Sequence, residues 1–368
     1  MVQQSEHSQG ACGGLKNFTQ SLRTAVAGLS PAYFAMVMAT GIVSIASHVM
    51  GLPYLGPSLL WLNTVLYVLL WILTVTRIVF FPAYFLSDFR SHAKGVGYFT
   101  VIAGTCILGS QYIILAGAFA VATGLLLLGI VLWCLLIYFV FAALIVSPEK
   151  PSLAEGINGT WLVSIVGTQG VSILASLLAP GLSPYREEVF FFSLCMFLIG
   201  VMWYIIVIAL ICYRLLFFAL EPEAFTSPYW INMGAVAIST LAGSTLVEHA
   251  GISPLLQSLR SFIMGFTLFA WATATWWIPL LLLVGAWRYL VKRVRLAYTP
   301  EHWGMVFPLG MYTTCTAHLA SMPELSFLWI VPHCFICFAL LAWTLTFTGF
   351  LKSVVGVMMY PAVGHDSN

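Results

Sequence analysis

Apolar residues run along this chain in long blocks, and charged residues fall almost entirely between the blocks. From Thr24 to Thr76 there is no Asp, Glu, Lys or Arg, a run of 53 residues. That length holds two helical crossings of about 20 residues each, divided at the Gly/Pro stretch Gly51–Pro57. Gly95 to Pro148 is a second charge-free run and again holds two. Single blocks follow at about 158–179, 189–213, 229–247, 261–287, 302–321 and 326–351. None alternates in hydrophobicity over about ten residues, as barrel strands do. The pattern predicts an all-α polytopic membrane protein with ten transmembrane helices. Residues 28–352 form its membrane domain, and 1–27 and 353–368 are tails.

Composition narrows the class. Only 7% of the residues are charged, against about a quarter in soluble proteins. Mean hydropathy is +0.99, which leaves too little polar surface to cover a water-exposed globule. A soluble enzyme, a disordered chain and a secreted disulfide scaffold are excluded. The N-terminal stretch lacks an apolar core, so no cleavable signal peptide is expected. Seven of the eight cysteines (Cys106, Cys134, Cys195, Cys212, Cys315, Cys334, Cys337) lie in apolar runs and read as small core residues. A net charge of +2 without a basic patch speaks against nucleic acid as a partner. Lys and Arg set the orientation. With the N-terminus cytoplasmic, twelve of the fourteen lie inside and only Arg186 and Arg260 outside. Both tails are then cytoplasmic, as an even number of crossings requires.

A weak repeat has a period of two helices. Even helices end alike, in Thr76-Arg77, Tyr213-Arg214 and Trp287-Arg288. Odd helices begin with an aromatic followed by small residues, as in Tyr33-Phe34…Thr40-Gly41 and Tyr98-Phe99…Gly104-Thr105. Small residues let helices approach closely, while Leu, Ile, Phe and Trp suit a lipid-facing surface. Five helical hairpins around an axis, odd helices inward, would enclose a central pore. A compact bundle whose small residues only permit close packing fits the same pattern.

At the ninth block, Glu301-His-Trp303-Gly-Met-Val-Phe307-Pro308 resembles the ninth helix of the tellurite-resistance/C4-dicarboxylate transporter family. That family includes yeast malic-acid permeases and plant slow-type anion channels. Pro31-Ala-Tyr-Phe34…Thr40-Gly41 is similar to its first helix and Tyr229-Trp230…Gly243 to its seventh. The resemblance covers about residues 28–352. It implies a transport domain of five hairpins around a central pore, in a homotrimer, with a mid-membrane phenylalanine from helix nine blocking the lumen. By its place in Trp-x-x-x-Phe-Pro, that residue is Phe307. Pro308 removes a backbone donor and disturbs the helix, and a kink there would turn the ring inward. A phenyl ring across a narrow lumen is a hydrophobic constriction of the kind that gates pores.

On the other odd helices the candidate pore-lining residues are Met38, Ala103, Val166 and Gly234, each within about five residues of the opening aromatic. Thr40, Thr105, Thr168, Ser239 and Thr313 carry hydroxyls that would serve a passing anion or bond back to their own helix. Arg77, Arg214 and Arg288 read as snorkelling or topology-setting residues. His318, Glu248, His249 and Glu324 read as interfacial polarity. His333-Cys334-Phe-Ile-Cys337 lacks a second pair at zinc-ligand spacing and reads as packing, not a metal site. No catalytic constellation or cofactor motif is present, and no enzyme activity is expected. The absence of mid-span carboxylates on odd helices disfavours cation pumping. The resemblance implies transport of small anions, C4-dicarboxylates such as malate, across a plasma membrane (the inner membrane in a bacterium). A gated chloride or nitrate channel is the alternative, and a non-transporting membrane scaffold the contrasting class.

Overall fold

The computed structural model describes residues 23–359. Ten long helices carry it: α1 (Phe34–Val49), α2 (Leu55–Phe80), α3 (Phe99–Ala116), α4 (Phe119–Val146), α5 (Val163–Leu178), α6 (Arg186–Phe217), α7 (Ile231–Glu248), α8 (Pro254–Ala286), α9 (Trp303–Ala320) and α10 (Ile330–Met359). No strand occurs among the described residues. Nine of these helices, with the turns that flank them, are long and apolar enough to cross a membrane. The exception is α9, which carries Thr313, Thr314, Thr316, His318 and Pro308. It is buried along nearly its whole length, so its polar groups meet protein and not lipid.

Each odd helix packs on the odd helix before and after it, and α9 packs back on α1, so α1, α3, α5, α7 and α9 form a closed ring. Each even helix lies against its odd partner on the outside: α2 on α1, α4 on α3, α6 on α5, α8 on α7 and α10 on α9. The odd helices are almost wholly buried, and the even ones expose large apolar side chains such as Trp61, Leu135, Leu216, Leu283 and Leu345. This is the sorting that small against bulky residues predicts.

The helices overrun their apolar blocks. Ser253 caps α8 by accepting from the Leu256 amide, and Pro254 sits at the first helical position, where its missing N–H costs nothing. The helix therefore starts before residue 261. Helix α10 continues to Met359, so the stretch expected as a C-terminal tail begins as helix. The remaining tail positions, 1–22 and 360–368, lie outside the described residues.

All five odd helices are entered through a 3-10 turn: Pro31–Tyr33, Gly95–Tyr98, Gly159–Leu162, Ser227–Trp230 and Pro300–His302. These turns also touch in a closed circle. At Gly159 an added Cβ would collide with the Pro228 carbonyl oxygen, so only glycine allows that approach. This end of the ring, where most Lys and Arg lie, is the basic end. The other is the far end.

Candidate functional site: the axial lumen

One small cavity of about 70 Å³ lies on the axis, and every odd helix contributes three residues to its wall. They are Ile42, Ile45 and Val49 of α1; Ile107, Ser110 and Ile114 of α3; Gly170, Ile173 and Leu177 of α5; Ile238, Leu241 and Thr245 of α7; and Met311, Thr314 and His318 of α9. The spacing is three then four residues on each helix, so one stripe of each faces the axis. Six isoleucines make the wall chiefly apolar. A water needs about 10–15 Å³ of such space, so the cavity has room for a few waters between chiefly apolar walls.

Four residues before the first wall residue of each helix stand Met38, Ala103, Val166, Gly234 and Phe307, all buried. Four residues is one turn, so the five share a layer on the axial register, on the basic side of the cavity. Phe307 is fully buried, and among the described residues its ring pairs with no other aromatic. Helix α9 runs unbroken through Pro308, whose ring packs against α7 at Gly234.

A family profile decides what this ring is: the voltage-dependent anion channel profile matches residues 28–351. The chain belongs to the SLAC1 family of voltage-dependent anion channels. Two relatives from Methanocaldococcus jannaschii are named uncharacterized transporters. MJ0576 is 25% identical over 300 residues, covering 78% of this chain and 82% of its own length. MJ0762 is 24% identical over 295 residues, covering 77% and 82%. An uncharacterized membrane protein of Mycobacterium tuberculosis, Rv1735c, is 36% identical over 155 residues, 42% of this chain and 78% of its own. The protein is thus a multi-pass member of an anion-transport family, and nothing in that family assignment points to an enzyme.

In this SLAC1-family ring the expected hydroxyls divide. Thr40 accepts from Trp343 Nε1 at 3.0 Å, and Thr105 bonds the Tyr67 hydroxyl at 2.9 Å. Both partners are on outer helices, and each threonine sits two residues, about 200°, beyond Met38 or Ala103. Thr40 and Thr105 thus turn toward these outer partners and stand off the stripe that lines the cavity. Thr168 likewise accepts from Trp133 Nε1 at 2.8 Å on α4. These bonds belong to a five-membered set. An outer aromatic reaches the inner helix of the next hairpin each time, through Tyr67–Thr105, Trp133–Thr168, Tyr204–Asn232 carbonyl, Trp271–Thr316 and Trp343–Thr40. Ser239 accepts from Gln169 of α5 at 3.1 Å. Thr313 donates to the Leu309 carbonyl at 2.9 Å, one residue off the wall position Thr314.

The polar wall residues are Ser110, Thr245, Thr314 and His318. Ser110 and Thr314 lie seven residues beyond Ala103 and Phe307, and that heptad offset is the signal that finds them. Each hydroxyl donates to its own helix, to Cys106, Leu241 or Gly310 carbonyls. At the far end His318 Nε2 meets Glu248 Oε2 at 3.0 Å, joining α9 to α7. His318, read from the sequence as interfacial polarity, is thus a wall residue and the one titratable group among those lining the cavity.

At the basic end, Arg77 and Arg214 are buried, not snorkelling. Arg77 Nε donates to the Ala27 carbonyl at 3.0 Å and Arg214 Nε to the Ala154 carbonyl at 2.8 Å, while Arg288 donates to the Phe225 carbonyl. Each carbonyl belongs to the segment entering the odd helix of the same hairpin, so the arginines pin the turns that ring the mouth. The cysteines also depart from expectation. Among the described residues Cys106 and Cys315 are the buried cysteines, and Cys134, Cys334 and Cys337 are exposed on outer helices. Among the described residues no group of His, Cys, Asp or Glu is arranged to hold a metal.

Proposed function

We propose that the chain carries small anions, C4-dicarboxylates such as malate among them, along the axis of the ring, with Phe307 closing the lumen. The observation behind this reading is the register. One layer holds Met38, Ala103, Val166, Gly234 and Phe307, a single bulky ring among smaller side chains, beside a narrow, chiefly apolar cavity. A dry constriction of that kind stops ions through the cost of desolvation. Opening then centres on moving one aromatic side chain, since Phe307 is the one ring in the layer. The basic end is the cytoplasmic mouth in this reading, with both termini inside, and the protein works as a homotrimer in the plasma membrane. Reconstitution into liposomes tests it: flux of malate or succinate above empty vesicles is expected, and no flux of any anion would overturn it.

A gated chloride or nitrate channel is the second reading, favoured by a cavity wall without carboxylates. A reversal potential that follows the anion gradient and ignores a pH gradient supports the channel. One that shifts with pH supports proton-coupled dicarboxylate transport.

A further inference from the structure

A pocket of about 500 Å³ opens at the basic end, away from the axis, between residues 23–28, the last turn of α2 and the short helix Pro82–Asp88. Arg23, Arg77 and Lys94 face it, with Asp88 as its one carboxylate. Asp88 is buried and already held, by Arg77 at 2.7 Å, by the Tyr98 hydroxyl at 3.3 Å and by Lys94 at 3.6 Å. Two cations, Arg77 and Lys94, thus share one carboxylate, and Arg23 lines the same pocket. The Lys94 side chain is 65% exposed and Arg23 is exposed as well, so the surplus positive charge is presented to whatever enters.

The other face of the same short helix borders a groove of about 990 Å³, lined mainly by apolar residues such as Leu86, Phe139, Ala142 and Val146, and also by Arg90 and Glu149. Ser87 lines both spaces. Tyr84 and Leu86 stand exposed on this helix beside the lipid-facing end of α2, which is the setting of an interfacial element. A free anion would use only the basic pocket. A molecule with a phosphate and an acyl chain fits both.

We propose that this is a binding site for an anionic phospholipid, its phosphate held by Arg23 and Lys94 and an acyl chain along the groove. Arg offers a planar fork for phosphate oxygens and Lys a point charge. Each basic side chain near an anionic lipid surface is worth roughly fivefold in affinity. The Arg77–Asp88 pair frames the site without being consumed by it. The proposal is independent of what passes along the axis.

The test uses the full chain, delipidated in detergent, with phosphatidylglycerol or phosphatidylcholine of the same acyl chains, retained lipid being read by native mass spectrometry. Preferential retention of phosphatidylglycerol is expected, with the preference falling about twentyfold in the double variant Arg23→Gln/Lys94→Gln. Both side chains are exposed, so that variant keeps its fold. The control Lys292→Gln/Arg293→Gln changes charge at the same end but outside the pocket and should keep the preference. Equal retention of the two lipids, or an equal loss in the control, would overturn the site. So would displacement of the lipid by inorganic phosphate alone, since the groove would then play no part.

Discussion

The ring of Pro308 fills the space beside Gly234: a Cβ added there would lie 2.7 Å from Pro308 Cγ. The contact ties α9 to α7 in the same layer as Phe307. Successive helical residues project about 100° apart, so a proline wedged sideways into α7 leaves Phe307 on the axial register. The proline acts by packing as well as by its missing donor.

Gly234→Ala should therefore destabilise the protein by about 1–3 kcal/mol, because a rigid pyrrolidine has no rotamer with which to yield. The midpoint of thermal unfolding of the purified protein reads this. Gly265→Ala on α8, where an added Cβ meets nothing within 4 Å, should be neutral or slightly stabilising.

The hydroxyl on Thr40 should matter for folding and not for selectivity. Thr40→Val leaves the Trp343 N–H without its acceptor, at about 1–3 kcal/mol. Relative permeabilities of chloride, nitrate and malate should stay at wild-type values. Thr314→Val, in the cavity wall, should change them. A shift in selectivity with Thr40→Val would place its hydroxyl on the conduction path after all.

Asp88→Asn breaks a buried ion pair and should cost about 3–5 kcal/mol, since Arg77 stays buried without its counter-charge. Removing both, as Arg77→Met/Asp88→Leu, should cost less than the sum of the two single changes. A double-mutant cycle on unfolding midpoints measures the difference, and additivity would mean that the pair is not coupled.

The architecture is legible in the chain because charge appears only where helices leave the bilayer, and because small and bulky residues alternate helix by helix. The proposed axial layer follows a rule readable in the chain: an aromatic opens each odd helix, and a count of four or five residues from it reaches the same register on each. What the sequence hides is direction. A threonine such as Thr40 or Thr105 satisfies its donor or finds a partner on either side of its helix, and only the neighbouring Trp343 or Tyr67 decides which. Arg77 and Arg214 look the same in sequence whether they reach headgroups or carbonyls. Their acceptors at Ala27 and Ala154 are 50 and 60 residues away, brought close by hairpin closure alone. His318 reads as interfacial polarity in the sequence because a lone polar residue near a helix end does not by itself show which neighbours its face meets.

Single-channel or liposome conductance of Phe307→Ala bears most directly on the proposed pore. If Phe307 closes the lumen, truncation wets the constriction. Anion conductance should then rise while expression and unfolding midpoint stay near wild type, and Phe307→Leu should fall between the two. If Phe307 is instead only a core side chain, its loss leaves a cavity costing about 3–5 kcal/mol. A Phe307→Ala protein that is destabilised to that extent and conducts no better than wild type would contradict the gate.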